Sequence, residues 1–451
     1  MNMKKAVIYR PVTLEEMLLC REKRAEQQKE LLRRFSAPVI SFTMNIPGPE
    51  KTSPLIERGF FFGMNELCRR LPKNSILFSE YRVEATGCEA FFAVDLPGET
   101  TKEICRSIEE ETPLGRLFDL DVIGANGEKF SRTEERCCII CGKKGWACAA
   151  SRAHSVSELW NKVQNILSYH FYDSDPRNFA RLAVQALKNE VLTTPKPGLV
   201  DQRNTGSHKD MNLSLFLASA EALQDYFSIA VSIGTEYAKA PPHEAFLRLR
   251  KAGLEAESRM FAVTSGVNTH KGAIYSLGVL CGAIGRLWKP DAPIAPLQDI
   301  LDEAKKLTKK AVLEDFAASE CDTAGKKLYN TLGLTGIRGE AAAGFPSVSH
   351  CALPVLTKLL QEGKSLWEAG SIALLHLIAT VEDTTLYHRG GKEGAAFAKK
   401  AARELLEASP HPAKEALEAL DDDFIQKNLS PGGCADLLAV SFFLNSLESF
   451  S

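Results

Sequence analysis

The spacing of apolar residues changes near residue 172, and this change constrains the fold more than any other feature of the chain. Before it, short β-branched and aromatic runs such as Val39–Met44 and Phe118–Ile123 stand between Gly and Pro punctuation, which indicates strands. After it, Ala- and Leu-rich segments such as Asn178–Val191 and Leu297–Phe316 have helical spacing. The sequence therefore predicts an α+β N-terminal part and an all-α C-terminal part.

A polar segment with a proline, Tyr172–Arg177, marks the predicted domain boundary. It follows a predicted helix over Val156–Tyr169. A chain of 451 residues, at about 100–200 residues per domain, is expected to form two domains, residues 1–172 and residues 173–451. The other predicted elements are helices over Thr13–Phe35, Asn212–Tyr226, Ala273–Trp288 and Ser365–Leu386, and strands over Ile76–Val83, Ala90–Asp95 and Glu135–Cys141.

Charge and composition argue against several classes of partner. The formal net charge is -2, from 55 basic and 57 acidic side chains, so neither nucleic acid nor an anionic membrane is expected as a partner. The longest apolar stretches are shorter than the ~20 residues that a membrane span needs. Lys4 and Lys5 are not followed by an apolar run, so no secretory signal is expected. The 12 cysteines are then expected to be reduced thiols of a cytoplasmic protein.

Two aspartates lie two residues apart in the run Phe118–Ile123. On a strand, residues i and i+2 share a face, so Asp119 and Asp121 should project together while Leu120 enters the core. Such a pair suits a divalent cation that faces phosphates, and Arg116 just before it is a candidate phosphate contact. The alternative is an exposed edge strand with two solvated acids.

Several separated blocks surround this pair and resemble the holo-citrate lyase synthase family over about residues 10–165. The resemblance implies a nucleotidyltransferase-like domain that transfers phosphoribosyl-dephospho-CoA to a serine of the citrate lyase acyl carrier protein, the gamma subunit, with release of pyrophosphate. It also implies that Asp119 and Asp121 hold a metal, expected to be Mg²⁺, and that Arg116 and Lys51 contact phosphates. The blocks are Arg21, Arg24, Gln27 and Gln28, then Ser41–Pro49, Thr86-Gly87, Gly115–Val122 and Ser151–Val156.

Two interpretations remain open for a nearby cluster, Cys138, Cys141, Cys148 and His154. The short spacing suits four zinc ligands. On the strand predicted over Glu135–Cys141, however, residues three apart point to opposite faces, so the thiols converge only if the chain turns after Cys141. Otherwise the cysteines are packed thiols, and His154 is a polar residue at a helix start or a phosphate contact.

Four polar blocks interrupt the helical pattern of the second half. The loop after Glu190 concentrates Lys196, Asp201, Asn204, His208 and Asp210 between apolar helices, and polar loops on a rigid frame often carry function. The others are Asn268–Gly272, Gly336–Ala341 and Glu382–Gly391. Taken singly, each block is typical of a helix cap or a surface ion pair.

With Leu429–Leu438, these blocks resemble the triphosphoribosyl-dephospho-CoA synthase family over about residues 178–445. The resemblance implies that the 2'-hydroxyl of 3'-dephospho-CoA attacks C1 of the ATP ribose and that adenine leaves while the triphosphate stays. Candidate bases or metal ligands are Glu190, Asp201, Asp210 and Glu340. Candidate binding residues are Lys196, Asn204, His208, Asn268, His270, Lys271, Arg338, Asp383 and Arg389.

The two resemblances support each other, because the product of the second reaction is the substrate of the first. The sequence thus predicts a bifunctional transferase that uses ATP and 3'-dephospho-CoA to build the citrate lyase prosthetic group and then attaches it. Two alternatives stay open: the same chemistry for malonate decarboxylase, whose relatives belong to the second family, and a non-catalytic scaffold that binds a carrier protein.

Overall fold

The computed structural model describes residues 9–131, 135–317 and 324–448, and the side chains of 324–326 lie outside the description. The chain divides into two compact units. The first comprises Met1–Asp173 with Pro290–Ala292, and the second comprises Ser174–Lys289 with Pro293–Ser451. Within the described ranges, no helix is both long and apolar enough to cross a membrane.

A five-stranded antiparallel sheet in the order β2-β3-β1-β4-β5 organises the first unit. The strands are β1 Val39–Met44, β2 Ile76–Glu84, β3 Gly87–Val94, β4 Phe118–Ile123 and β5 Lys129–Phe130. The helices that belong wholly to this unit are α1 Leu14–Phe35, α2 Pro54–Arg70, α3 Gly98–Glu111 and α4 Gly145–Ala150. The α+β prediction for this part is confirmed at the level of these elements.

Helices cover both faces of the sheet. On one face Phe42 of β1 stacks on Phe60 of α2, with ring centroids 4.9 Å apart, and meets Phe118 of β4 edge-on at 5.2 Å. On the other face Leu31 of α1 packs against Val39 and Phe91. Helix α1 begins at a capping box in which Thr13 and Glu16 bond each other's backbone amides.

Helix α5, Val156–Leu192, runs without interruption through the predicted boundary segment Tyr172–Arg177. The predicted end of this helix near Tyr169 is wrong. Pro176 removes one amide donor, yet buried apolar side chains continue on both sides of it, as at Phe171 and Phe179. Burial of these apolar side chains stabilises the helix by more than the missing hydrogen bond at Pro176 destabilises it.

The second unit is helical, as predicted. Its helices after α5 are α6 Leu213–Ala222, α7 Gln224–Glu236, α8 Pro242–Val263, α9 Lys271–Leu287, α10 Leu297–Ala317, α11 Ala324–Leu332, α12 Gly336–Ala343, α13 Leu353–Gln361, α14 Leu366–Thr380, α15 Thr384–Ala408, α16 Lys414–Gln426 and α17 Gly432–Glu448. The central helix is α9, in which 12 residues are buried, and α7, α8, α10 and α17 pack around it.

Three predicted elements are wrong in detail. The helix predicted over Asn212–Tyr226 is divided at Leu223 into α6 and α7. The helix predicted over Ser365–Leu386 ends at Thr380, because the Asp383 carboxylate accepts amide bonds that start α15. The strand predicted over Glu135–Cys141 reduces to one bridge, from Cys137 to Lys144, followed by a turn.

Candidate functional site

The two carboxylates of β4 lie on one face of the sheet. Asp119 and Asp121 are exposed while Phe118, Leu120 and Val122 are buried, which is the alternation that a strand imposes. Strand β1 pairs Thr43 with Asp119 and Ser41 with Asp121. The sequence blocks Ser41–Pro49 and Gly115–Val122 are therefore neighbours in the sheet.

Positive side chains surround this carboxylate pair. Loss of solvation and then the charge of Asp121 raise the pKa of Asp119, whereas Arg136, Lys102 and Arg24 act to lower it. Arg136 is held in place by bonds of 2.6 Å to the Glu109 carboxylate and 2.6 Å to the Phe118 carbonyl. The strand thus presents two acids with three cations nearby, an arrangement suited to phosphate groups and a metal between them.

A cavity of about 1030 Å³ lies within the first unit. Arg116, Arg136 and Arg152 line it together with Cys138, Cys148 and His154. Arg136 therefore connects the carboxylate pair with the cavity wall. A space of this size with three guanidinium groups suits a large anionic ligand.

The other residues that the sequence placed with the phosphates have protein partners. The Arg116 guanidinium donates to the Cys137 carbonyl and keeps further donors for the cavity. Lys51 donates to the Ile46 carbonyl at 2.5 Å. Burial and then the charge of Arg21 lower the pKa of Lys51.

In the second unit, Glu190 and Lys196 form a buried ion pair at the wall of a cavity of about 160 Å³. Their side chains are 6% and 1% exposed, so each charge depends on the other for compensation. Burial raises the pKa of Glu190 and Lys196 opposes that shift. The pair lies where helix α5 ends and the loop predicted as functional begins.

Asp201 and Asn204 shape that loop. The buried Asp201 carboxylate accepts bonds from the amides of Lys196, Arg203 and Asn204 at 3.0, 2.7 and 3.1 Å. The Asn204 side chain donates to Asp421 at 2.7 Å. These contacts fix the position of Lys196, so the structure assigns Asp201 and Asn204 to the support of the cavity rather than to its wall.

Asp436 of α17 lines the same cavity and was not among the candidate residues. Burial, then the charges of Glu190 and Asp383, raise its pKa well above the ordinary value. The carboxylate lies against α9, where a Cβ built on Gly272 would come within 1.9 Å of Asp436 Oδ2. Glycine at position 272 is therefore required for this close approach. The sequence signal was present, since Asp436 belongs to the last motif block.

His270 is buried at the same cavity. Its Nδ1 lies 2.8 Å from Ser219 Oγ, which in turn lies 2.7 Å from Thr269 Oγ1. Its Nε2 is buried and has no hydrogen-bond partner among the described residues. Burial, then the charge of Lys196, lowers the pKa of His270 to about 3. The imidazole is thus neutral and its Nε2 is available to a ligand.

His208 has both ring nitrogens engaged. Arg389 Nη2 lies 3.0 Å from Nδ1, and because a guanidinium only donates, Nδ1 must accept. Nε2 then carries the proton and donates to Ser430 Oγ at 2.9 Å. Burial and Arg389 lower the pKa of His208 to about 4. Asp210 is exposed, and its charge acts to raise the pKa of both His208 and Arg389.

The remaining candidates lie at the start of α9, at a second cavity and on the exposed side of α12. Asn268 and Lys271 line the first cavity, where Asn268 Oδ1 accepts from the Lys271 amide at 3.2 Å. Glu340 and Asp383 line a cavity of about 350 Å³ on the other side of α17. Arg338 is half exposed and lies 3.6 Å from Asp315.

Asp383 is a structural carboxylate in this arrangement. Besides capping α15, it accepts from the Cys434 amide at 2.8 Å and so ties α15 to α17. Glu340 accepts from the amide and hydroxyl of Ser347 at 3.1 and 2.6 Å. Asp383 acts on the first cavity through its charge on Asp436 and through its bond to the amide of Thr385, which lines that cavity.

Comparison with known proteins gives two family matches along the chain. Residues 12–170 match apo-citrate lyase phosphoribosyl-dephospho-CoA transferase, and residues 176–451 match ATP:dephospho-CoA triphosphoribosyl transferase. The protein CitXG of Haemophilus influenzae is 35% identical over 97% of each chain, and that of Leuconostoc mesenteroides subsp. cremoris is 33% identical over the same share. The 2-(5''-triphosphoribosyl)-3'-dephosphocoenzyme-A synthase of Haemophilus ducreyi is 37% identical and covers 68% of this chain and 99% of its own length.

Proposed function

We propose how two reactions are divided over this chain. The chain belongs to the bifunctional family that joins an apo-citrate lyase phosphoribosyl-dephospho-CoA transferase to an ATP:dephospho-CoA triphosphoribosyl transferase. The chain is a bifunctional transferase that makes the citrate lyase prosthetic group and attaches it to the acyl carrier protein. Synthesis belongs to the second unit and attachment to the first. The carrier that accepts the group is the gamma subunit of citrate lyase.

Synthesis takes place at the cavity between the end of α5, the start of α9 and α17. The observation that carries this assignment is the convergence there of Glu190, Lys196, His270, Lys271 and Asp436 from three sequence blocks. The cavity is smaller than the ~300–1,000 Å³ typical of ligand sites, so only the reacting parts of ATP and 3'-dephospho-CoA enter it. The triphosphate lies outside, toward Lys271 at the start of α9.

Asp436 is the general base in this proposal. It takes the proton from the 2'-hydroxyl of 3'-dephospho-CoA while the oxygen forms a bond to C1 of the ATP ribose and the bond from C1 to adenine breaks. The adenine that leaves takes up one proton, which balances the proton lost by the hydroxyl. A carboxylate with a raised pKa is a stronger base than an ordinary one. The charge of Glu190 stabilises the positive charge that develops at C1.

The other cavity residues bind and orient. The His270 imidazole is uncharged and hydrogen-bonds the departing adenine through Nε2. Lys196 keeps Glu190 ionised, and Arg389 and Ser430 hold His208 in one tautomer at the cavity wall. Glu340 and Asp383 stay on the far side of α17 and support it.

Attachment uses the carboxylates of β4. The serine hydroxyl of the carrier loses its proton and its oxygen forms a bond to the α-phosphorus of the triphosphate. The bond from that phosphorus to the oxygen bridging to the β-phosphate breaks, and pyrophosphate leaves with this oxygen and takes up the proton. Asp119 and Asp121 fit Mg²⁺, because two hard oxygen donors on one face repel each other until a divalent cation separates them. When bound, this ion neutralises charge on the phosphates. Arg116, Arg136 and Arg152 bind the phosphates from the cavity wall.

Adenine release tests the synthesis step. The purified chain is incubated with ATP and Mg²⁺, with and without 3'-dephospho-CoA, and adenine is measured by chromatography. Release that depends on 3'-dephospho-CoA is the expected result. If no adenine appears while the carrier protein still binds, the chain is a non-catalytic scaffold; if only the malonate decarboxylase carrier is loaded, the carrier assignment is wrong.

A further inference from the structure

The segment from Cys137 to His154 turns twice and gathers four side chains that metals bind. The Sγ atoms of Cys138, Cys141 and Cys148 and one imidazole nitrogen of His154 all lie within 4.8 Å of one another. None of the reactions described above uses these groups. Such convergence of three thiols and an imidazole is the composition of a zinc site.

The first turn brings two cysteines to the same side of the chain. Cys137 pairs with Lys144, the Cys138 amide donates to the Lys143 carbonyl at 2.6 Å, and the Gly142 amide donates to the Cys138 carbonyl at 3.0 Å. Gly142 has φ +73°, a conformation that favours glycine. Because the chain turns here instead of continuing as a strand, the side chains of Cys138 and Cys141 converge.

The second turn returns the chain to the same point. Cys148 lies on α4, and after this helix Arg152 adopts a left-handed conformation with φ +49°. The Ala153 amide then donates to the Cys148 carbonyl at 3.0 Å. This reversal places His154 beside the cysteines, although it is 13 residues beyond Cys141 in the chain.

The dimensions of the cluster match those of a tetrahedral site. With zinc–sulfur bonds of about 2.3 Å and a zinc–nitrogen bond of about 2.0 Å, ligand atoms lie roughly 3.5–3.8 Å apart. The Sγ atoms of Cys141 and Cys148 are already 3.4 Å apart. The longest separation in the cluster, at most 4.8 Å, needs to close by about 1 Å.

The His154 imidazole offers a ring nitrogen that no protein group occupies in the described part of the chain. His154 Nε2 is buried and makes no hydrogen bond within the ranges that the structure describes. Zinc is held by thiolates, so the three cysteines would release their thiol protons on binding the ion.

We propose that Cys138, Cys141, Cys148 and His154 bind one zinc ion. All four positions are taken by protein atoms, so the ion is structural and leaves no site for a substrate. Mg²⁺ and Ca²⁺ are disfavoured because they prefer oxygen ligands. Since Cys138, Cys148 and His154 line the large cavity with Arg116, Arg136 and Arg152, the ion would hold the wall that carries the phosphate-binding arginines.

Metal analysis of the purified full-length chain tests this proposal. Protein prepared in reducing buffer without chelator should contain about one zinc per chain by elemental mass spectrometry. C138S, C148S and H154A should each lose it. C68S, at an exposed cysteine outside the cluster, should keep it, and H154C should also keep it because cysteine is an equivalent ligand.

Cobalt substitution provides a readout that is independent of whether the variants fold. Wild-type protein loaded with Co²⁺ should show the thiolate charge-transfer and tetrahedral d–d bands, and zinc should abolish them. A chain that contains no zinc and gives no such bands with Co²⁺ would overturn the proposal. So would a Cys141–Cys148 disulfide in metal-free protein kept under reductant, because the cluster would then be a thiol pair.

Discussion

Replacement of Asp436 by asparagine isolates the role of its charge. Asparagine has nearly the same shape, so the cavity beside Gly272 is preserved while the proton acceptor is lost. A general base typically contributes about 10²–10⁴-fold to the rate. At about 1.36 kcal/mol per tenfold, this corresponds to about 3–5.5 kcal/mol of transition-state stabilisation. We expect D436N to lose adenine release by that factor.

The pH profile distinguishes a base from a merely structural residue. The wild-type rate requires ionised Asp436, so kcat/KM for adenine release should fall as the pH falls through the raised pKa of this carboxyl. In D436N this acidic limb should disappear. D422N is the matched control, because Asp422 is exposed, lies outside the cavity lining and pairs with Arg203 at 2.9 Å; its rate and profile should equal those of wild type.

Stability provides the second readout for D436N. Because the folded pKa of Asp436 is raised, the folded state binds more protons than the unfolded state, and stability falls as the pH rises through the window between the two values. At neutral pH, D436N should therefore be at least as stable to urea as wild type. Loss of adenine release together with marked destabilisation, or an unchanged rate, would refute the assignment of Asp436 as the base.

Three further variants test other parts of the account. G272A should also lose adenine release, since its Cβ would come within 1.9 Å of Asp436 Oδ2. The matched G253A should lose less, because there the nearest atom is the Tyr226 hydroxyl oxygen at 3.3 Å, which needs to move by only a few tenths of an ångström. K196M should cost about 3–5 kcal/mol in urea unfolding by leaving Glu190 buried and unpaired, and E190Q/K196M should recover most of that loss; no difference between them would contradict the ion pair. D119N should abolish carrier loading, measured by intact-protein mass, while adenine release continues; equal loss of both reactions would contradict the division between the units.

The spacing of apolar residues predicted most helices and strands, because this spacing follows from which face of each element is buried. β4 was predicted with its observed bounds, and the face shared by Asp119 and Asp121 follows from the strand period alone. The predicted break before Pro176 failed because burial on both sides continues α5. The division between α14 and α15 was missed because an apolar pattern does not reveal that Asp383 caps a new helix.

The candidate site was predicted less completely than the fold, because spacing contains no distances. Asp201 is a candidate base or metal ligand on its place in the polar loop alone, yet its carboxylate accepts from three backbone amides. Asp436 belongs to the last motif block, but spacing does not reveal that it lies against Gly272 and lines the cavity. Likewise, the convergence of Cys141 and His154 depends on two turns that the strand pattern concealed.

The division of the two reactions is tested most directly by supplying the intermediate. Purified D436N is given 2'-(5''-triphosphoribosyl)-3'-dephospho-CoA, Mg²⁺ and the citrate lyase acyl carrier protein, and the carrier mass is measured. We expect the carrier to gain the phosphoribosyl-dephospho-CoA group at the wild-type rate, although the same variant makes no such product from ATP and 3'-dephospho-CoA. A carrier that stays unmodified when the intermediate is supplied would contradict the assignment of synthesis and attachment to separate units.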